Sequence, residues 1–490
     1  MNASIIRKYI GKYAVSLLSA LWLTCGAAPG AARGVAGGRW HIFRLTLSDK
    51  AHSHYSLDRP REFLSERALA RRARQHIALD STDLPVSGAY VEAIARRGLR
   101  VVGTSRWNNT VLVRADDARQ LDDVLDLPFV RRCERVYTSA GAEADTSRTA
   151  LADSVEAPAA PTDAYGVAGP QLRRIGGDAL HRRGWRGRGM MVAVIDAGFM
   201  NADRIKALAG ADIRAVRDFV VPRATTVFAQ ADHGTKALSV MAAHAPGRYV
   251  GVAPEATYVL ARSENMQGEN AVEQDFWAEA AEWADSLGAD VVSSSLGYHA
   301  FDDSTQNVAY RQLDGRSTLV SRSAATLARK GVVVVSSAGN EGNTPWKKIN
   351  VPADAPGVVA VGALDRNALN ANFSSVGPTA DGRVKPDVMA TGAPAMVIDG
   401  AGRAVPAMGT SFAAPQVAGL AACLWQAAPT LTADEIADLL RSTASQAAWP
   451  DNVMGYGTAD FARALDDAGK IRGRDTAKQP GEDKTKLRKP

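Results

Sequence analysis

Five short, predominantly apolar runs punctuate the second half of the chain, at 191–195, 256–261, 290–294, 332–336 and 358–361. Each has the length of a strand and lacks polar alternation, so both of its faces should be covered. Helical periodicity fills 269–287 and 319–330, with Gly288 and Gly331 where those helices should stop. Apolar strands alternating with helices predict a three-layer α/β fold with a mostly parallel sheet over residues 163–468. Ligands of such sheets bind beyond the C-terminal strand ends, and Asp196, Ser295 and Asn340 all fall there.

The first part of the chain follows another rhythm. Residues 40–47 alternate like a half-buried strand, and an Arg-rich helix follows at 65–75. Then come a helix over 90–97, paired strands 99–105 and 110–114, a helix over 118–127 and a strand over 130–136. With the Arg-rich helix taken as an insertion, the order is β-α-β-β-α-β, a ferredoxin-like α+β domain spanning 33–137. Residues 138–162 are rich in Ala, Ser, Thr, Asp and Pro and read as a solvated linker. Residues 469–490 are polar and basic and read as a disordered tail.

Composition narrows the class. The chain has 490 residues, 46% hydrophobic and 22% charged, enough to bury a sizeable core. Its net charge of +6 is modest. Arg67, Arg71, Arg72 and Arg74 make a basic helix, but no stacking aromatics or recognition module accompany it. A solvated helix face is therefore expected, and no nucleic-acid partner. The acidic stretch Glu264, Glu269, Glu273 and Asp275 likewise reads as a helix start with a solvated face. Residues 1–32 have the positive start, apolar centre and small-residue end of a secretory signal peptide. Their apolar part, 14–23, is shorter than the about 20 residues that span a bilayer. A secreted or periplasmic protein with no membrane attachment after signal removal is expected. Three cysteines (Cys25, Cys133 and Cys423) do not make a disulfide framework, and Cys423 reads as a buried small hydrophobe. No metal ligand is assigned, because His244, Asp302 and Asp303 are scattered and zinc spacings are absent.

The chemistry lies in four segments. Gly409-Thr410-Ser411-Phe412-Ala413-Ala414-Pro415 runs straight into an apolar helix. A serine at that point has its hydroxyl and its N–H at the positive end of a helix dipole, suited to a nucleophile and to holding an oxyanion. Upstream are Asp196 at the end of an apolar strand, His233 in Asp232-His233-Gly234-Thr235, and Asn340 in Ser337-Ala338-Gly339-Asn340-Glu341-Gly342. Together these segments resemble the subtilase (subtilisin-like) serine protease family, over residues 165–465. The resemblance implies a subtilisin-like fold and a catalytic triad of Asp196, His233 and Ser411. It implies Asn340 as one oxyanion donor beside the Ser411 N–H. It also implies that Ser295, Leu296 and Gly297 on one side, and Ala338 and Gly339 on the other, bind an extended peptide by strand addition and wall the primary specificity pocket. The loop 343–351, with Trp346, Lys347 and Lys348, would help to close that pocket. Phe373-Ser374-Ser375-Val376-Gly377-Pro378 and Lys385-Pro386-Asp387-Val388 are further subtilase-like segments with structural roles.

The 33–137 domain resembles, in element order, the inhibitory propeptide of subtilases. The resemblance therefore implies a secreted serine endopeptidase made as a zymogen, with its own N-terminal domain as inhibitor and proteins or peptides as substrates. It implies no catalytic cofactor and allows structural calcium, without assigned ligands. Ala197, Lys236 and Gln416 depart from the family pattern outside the triad. Two alternatives stay open: a peptide ligase using the same acyl-enzyme, and a catalytically silent peptide-binding fold. The silent fold should lack one of the four site residues. A Gly-x-Ser-x-Gly lipase does not fit the sequence around Ser411.

Overall fold

A computed structural model describes residues 39–139, 151 and 163–478. The expected signal peptide, nearly all of the expected linker and residues 479–490 lie outside the described residues.

The N-terminal domain is built from β1 (His41–Leu47), α1 (Glu66–Arg74), α2 (Gly88–Ala95), β2 (Arg100–Ser105), β3 (Thr110–Ala115), α3 (Asp122–Leu125) and β4 (Val130–Thr138). Its antiparallel sheet has the order β2-β3-β1-β4, the ferredoxin-like arrangement that the element order predicts. Strand alternation divides the residues between two cores. Phe43, Leu45, Val111 and Val113 pack with Ile94 and Val124 of the same domain. Ile42, Leu112, Val136 and Tyr137 face the other way, toward the large domain.

That larger domain begins with α4 (Gly169–Arg174) and α5 (Gly177–Arg182). Then come β5 (Met191–Asp196), β6 (Asp212–Asp218), α6 (His233–Ala242), a short hairpin of β7 (His244–Ala245) and β8 (Tyr249–Val250), and β9 (Thr257–Arg262). Next are α7 (Glu273–Leu287), β10 (Val291–Ser294), α8 (Leu319–Arg329), β11 (Val333–Ser337), β12 (Val358–Asp365) and β13 (Val388–Ala393). The hairpin β14 (Ala395–Ile398) and β15 (Ala404–Ala407) precedes α9 (Thr410–Ala427), α10 (Ala433–Ser442) and α11 (Phe461–Lys478). Seven strands form one parallel sheet in the order β13-β12-β11-β10-β5-β9-β6. Val192 and Val194 pack toward α6 and α9, whereas Ala193 and Ile195 pack toward α7 and α8. This two-sided burial is why the strands read as unbroken apolar runs. Strand order reverses direction at β5 and β10, so the loops after Asp196 and Ser294 diverge and open a crevice.

Strands β6 and β13 are not foreseen, because Asp212, Arg214 and Arg217 on β6 hide the periodicity of an edge strand. The tail is also not wholly coil: α11 begins at Phe461 and runs on to Lys478, past the expected boundary at 469. Phe461, Ala464, Leu465 and Ala468 bury one face of its first turns, and the helix continues from there.

Two charged stretches read as solvated faces are in fact buried in large part, although Arg74 stays exposed. Arg71 and Arg72 of α1 are 1% and 2% exposed, and their charge is met by the large domain. Arg72 pairs with Asp83 (2.9 Å) and Asp285 (2.8 Å). Arg71 pairs with Asp285 and donates to the carbonyls of Ala289 and Lys330. Those carbonyls lie just past the C-terminal ends of α7 and α8, where the helix dipoles favour a cation. In the acidic stretch, Asp275 pairs with Arg44 of β1, and both Glu273 oxygens accept backbone N–H groups of Asn265 and Asn270. Glu264 is buried and accepts from the Tyr298 hydroxyl at 2.6 Å. For Arg71, Asp275 and Glu264 the compensating partner comes from a distant part of the chain, whereas Glu273 is met by nearby backbone.

Candidate active site

The loop after β5, the start of α6 and the start of α9 converge at the crevice. Asp196, fully buried, ends β5. Its Oδ1 accepts the Ala197 N–H (2.7 Å) and lies 2.6 Å from His233 Nδ1. A carboxylate can only accept, so Nδ1 carries the proton and Nε2 of the neutral ring keeps its lone pair. His233 is the first residue of α6. Its ring lies 5.5 Å from that of Phe412, the residue after Ser411, so the imidazole sits beside the start of α9.

Seventeen of the eighteen residues of α9 are buried, so Ser411 rides on a helix fixed on all sides. Ser411 is its second residue, and its N–H is one of the first four that find no acceptor inside a helix. Pro415 cannot bond back to the Ser411 carbonyl. The Ser295 hydroxyl donates to that carbonyl instead, at 2.7 Å, while Ser411 Oγ donates to the Ser295 carbonyl at 3.2 Å. These reciprocal bonds bind the end of β10 to the turn that carries Ser411.

Asn340 meets the same turn from the end of β11. Its Oδ1 accepts from the Thr410 N–H (2.9 Å) and the Thr410 hydroxyl (3.0 Å). An N–H can only donate, so this contact fixes the amide and turns Nδ2 to the other side. Gly339 N–H donates to Thr410 Oγ1 (3.3 Å), which holds Ala338 and Gly339 against α9. All four candidate catalytic residues and both candidate pocket edges, Ser295–Leu296–Gly297 and Ala338–Gly339, thus gather at one end of the sheet. The segments read as structural support them. Ser375 Oγ accepts the Glu341 N–H (2.9 Å), and buried Lys385 pairs with Asp387, which Arg441 also reaches at 2.6 Å.

Of the three departures from the family pattern, Lys236 pairs with Asp232 at 2.8 Å, and Gln416 donates to the carbonyls of Thr391 and Phe412. Ala197 offers no hydroxyl, and Asp196 Oδ2 has no hydrogen-bond partner among the described residues. Sequence reasoning missed Arg262. It stands opposite both Asp196 and Asp218 in the strand registers, pairs with Asp218 at 2.9 Å, and donates to the Ala197 carbonyl at 3.2 Å. An arginine ending an apolar strand in register with the acid is the signal that could have found it. Cys423 is buried and unpaired, and its thiol is pushed up by that burial, so it remains a small hydrophobe.

Glu264, Glu269 and Glu273 bring carboxylate oxygens within 4.8 Å of one another, hard donors of the kind that suit calcium. Glu264 accepts from Tyr298, and Glu273 accepts the N–H groups of Asn265 and Asn270, so two of the three carboxyls are positioned by the chain itself. No described helix is long and apolar enough to cross a membrane.

A parallel α/β sheet carrying an Asp–His pair and a serine at a helix start defines a class, and comparison with known proteins identifies it. Residues 187–457 match the model of the Subtilase family, and residues 43–150 match that of the Peptidase S8 propeptide domain, Bacteroidota. The chain belongs to the subtilase family. It is 31% identical to Subtilisin NAT of Bacillus subtilis subsp. natto over 278 residues, 56% of this chain and 65% of that protein. It is 31% identical to Subtilisin of Bacillus pumilus, covering 90% of it, and 30% identical to Serine protease AprX of Bacillus subtilis (strain 168), covering 66%. The match thus spans a little under two thirds of the length of the first of these relatives.

Proposed function

We propose that this chain is a secreted serine endopeptidase made as a zymogen, with Asp196, His233 and Ser411 as its triad. The observation that carries this reading is the 2.6 Å contact of His233 Nδ1 with Asp196, next to the helix that begins with Ser411. In this reading His233 Nε2 takes the Ser411 proton as Oγ attacks the peptide carbonyl, and Asp196 steadies the imidazolium that results. The developing oxyanion meets Asn340 Nδ2 and the Ser411 N–H, donors already held in place by the Thr410 bonds and by α9. His233 then delivers its proton to the leaving amine, and water repeats the sequence on the acyl-enzyme. Residues 33–137 act as the inhibitor until cleavage near the linker and release of the domain. The propeptide match and the buried ion pairs to α7 support this.

The test is the full chain carrying Ser411→Ala. It should fold, remain one uncleaved polypeptide and hydrolyse no peptide. Unchanged turnover would refute the assignment. Weighing the products of a peptide mixture separates hydrolysis from ligation, since ligation alone yields species heavier than the inputs.

A further inference from the structure

The loop 343–351 offers three conspicuous side chains to the candidate pocket, and none of them enters it. Trp346 stacks on His299 with ring centroids 5.1 Å apart, and its Nε1 donates to the Ile349 carbonyl at 3.3 Å. Lys348 Nζ donates to the Gly377 carbonyl at 2.6 Å, and Lys347 is exposed. The residue that does turn inward is Asn350. Its N–H donates to the Ala338 carbonyl at 3.0 Å, so it is pinned to one edge of the pocket, and Val351 exchanges both backbone hydrogen bonds with Tyr298, next to the other edge.

The Asn350 side chain lies between those edges. A Cβ placed on Gly297 would stand 2.9 Å from Asn350 Cβ. A Cβ on Gly339 would stand 3.0 Å from its Nδ2 and 3.1 Å from its Cγ. The Asn350 side chain therefore lies against both walls, its Cβ at Gly297 and its amide at Gly339, and the lack of side chains at these two glycines makes room for it. Asn350 is 6% exposed, and its amide lies against the carboxyl of Glu341, itself buried. With Nδ2 donating to that carboxyl, Oδ1 is left as a buried acceptor with no partner among the described residues. A buried unmet acceptor carries a cost that a donor from a ligand removes.

We propose that Asn350 floors the primary specificity pocket, so that the residue before the scissile bond must be small: alanine, or a serine or threonine whose hydroxyl can donate to Oδ1. This rests on the proposed peptidase reading. A large apolar or aromatic side chain would have to displace an amide wedged between two backbone edges, and would bury its unmet oxygen against carbon.

The test uses the full-length chain after processing and peptides that differ only in the residue before the scissile bond: Ala, Ser, Leu or Phe. For the wild type, kcat/KM for Ala and Ser should exceed that for Leu and Phe by about ten- to a hundred-fold, the discrimination that pocket size supplies. Asn350→Gly should shift the Phe-to-Ala ratio toward Phe by a similar factor. Asn350→Ala, which keeps a Cβ and the local backbone preference, should shift it less in the same direction, and it stands in if the glycine variant does not accumulate. A wild-type preference for Phe or Leu, or a ratio unmoved by both substitutions, overturns the assignment while leaving the peptidase reading intact. Absence of hydrolysis of all four peptides by the wild type overturns both.

Discussion

Replacing Asp285 by asparagine removes the one carboxylate that three guanidiniums of the N-terminal domain share. Arg71, Arg72 (2.8 Å) and Arg106 (2.7 Å) converge on this side chain, which is 0% exposed. Burial alone would raise the Asp285 carboxyl, but Arg71, Arg72 and Arg106 outweigh it and hold it below its usual value. Asparagine keeps the shape and one acceptor and loses the charge. Arg72 then retains the charge of Asp83, whereas Arg71 keeps only uncharged hydrogen-bond acceptors. Breaking one side of a buried pair costs about 3–5 kcal/mol. With one acceptor retained, the lower end applies, and about 3 kcal/mol corresponds to a roughly hundred-fold weaker hold on the N-terminal domain. Arg71→Met should cost much less, since Asp285 keeps two partners and the apolar chain fills the space. In an otherwise wild-type chain, the delay before peptide hydrolysis appears should shorten sharply for Asp285→Asn and slightly for Arg71→Met. Size-exclusion chromatography should show the cleaved domain separating earlier. Equal delays and equal separation in Asp285→Asn and wild type would refute the claim that this cluster holds the inhibitor.

Asn340→Ala should lower kcat by roughly a hundred- to a thousand-fold with a smaller change in KM, because the donor acts on charge present only in the transition state. A change confined to KM would make Asn340 a substrate contact. Burial beneath β2, then the neighbouring Glu282 and Asp275, push the Glu279 carboxyl well above its ordinary value of 4.5, with Arg217 and the Thr104 N–H opposing. A carboxyl raised only while the domain is docked strengthens docking fully below about pH 4.5, and that contribution is lost as pH rises through the elevated value. Release timed over a pH series should therefore quicken with rising pH, and Glu279→Gln should flatten that slope; an unchanged slope in the variant would dismiss the coupling. N-terminal sequencing of the processed enzyme should place the new terminus within residues 136–165, and active enzyme that still carries 40–137 covalently would make that domain an accessory one.

The parallel sheet and the four site segments were legible because each is local. A both-sides-buried strand is an apolar run, and Asp196, Asn340 and Ser411 each sit within a few residues of the strand or helix end that positions them. What escaped was non-local. The charges of α1 looked solvated because Asp285, which neutralises them, lies over 200 residues away in sequence, on a helix whose own acids looked equally solvated. Arg262 escaped because its partner Asp218 is on β6, a strand too polar in pattern to be recognised. Asn350 escaped because bulkier neighbours in the same loop drew attention, and only the backbone of Gly297 and Gly339 shows which side chain has room to turn in.

The central claim is that Ser411 is an activated nucleophile, and a fluorophosphonate reagent tests it without any assumption about substrate. Mass spectrometry of the labelled, processed chain should place a single adduct on the peptide containing Ser411. His233→Ala should abolish the labelling, because the serine then loses its base. A chain that hydrolyses peptides but carries no adduct at Ser411, or that labels equally without His233, would contradict the account.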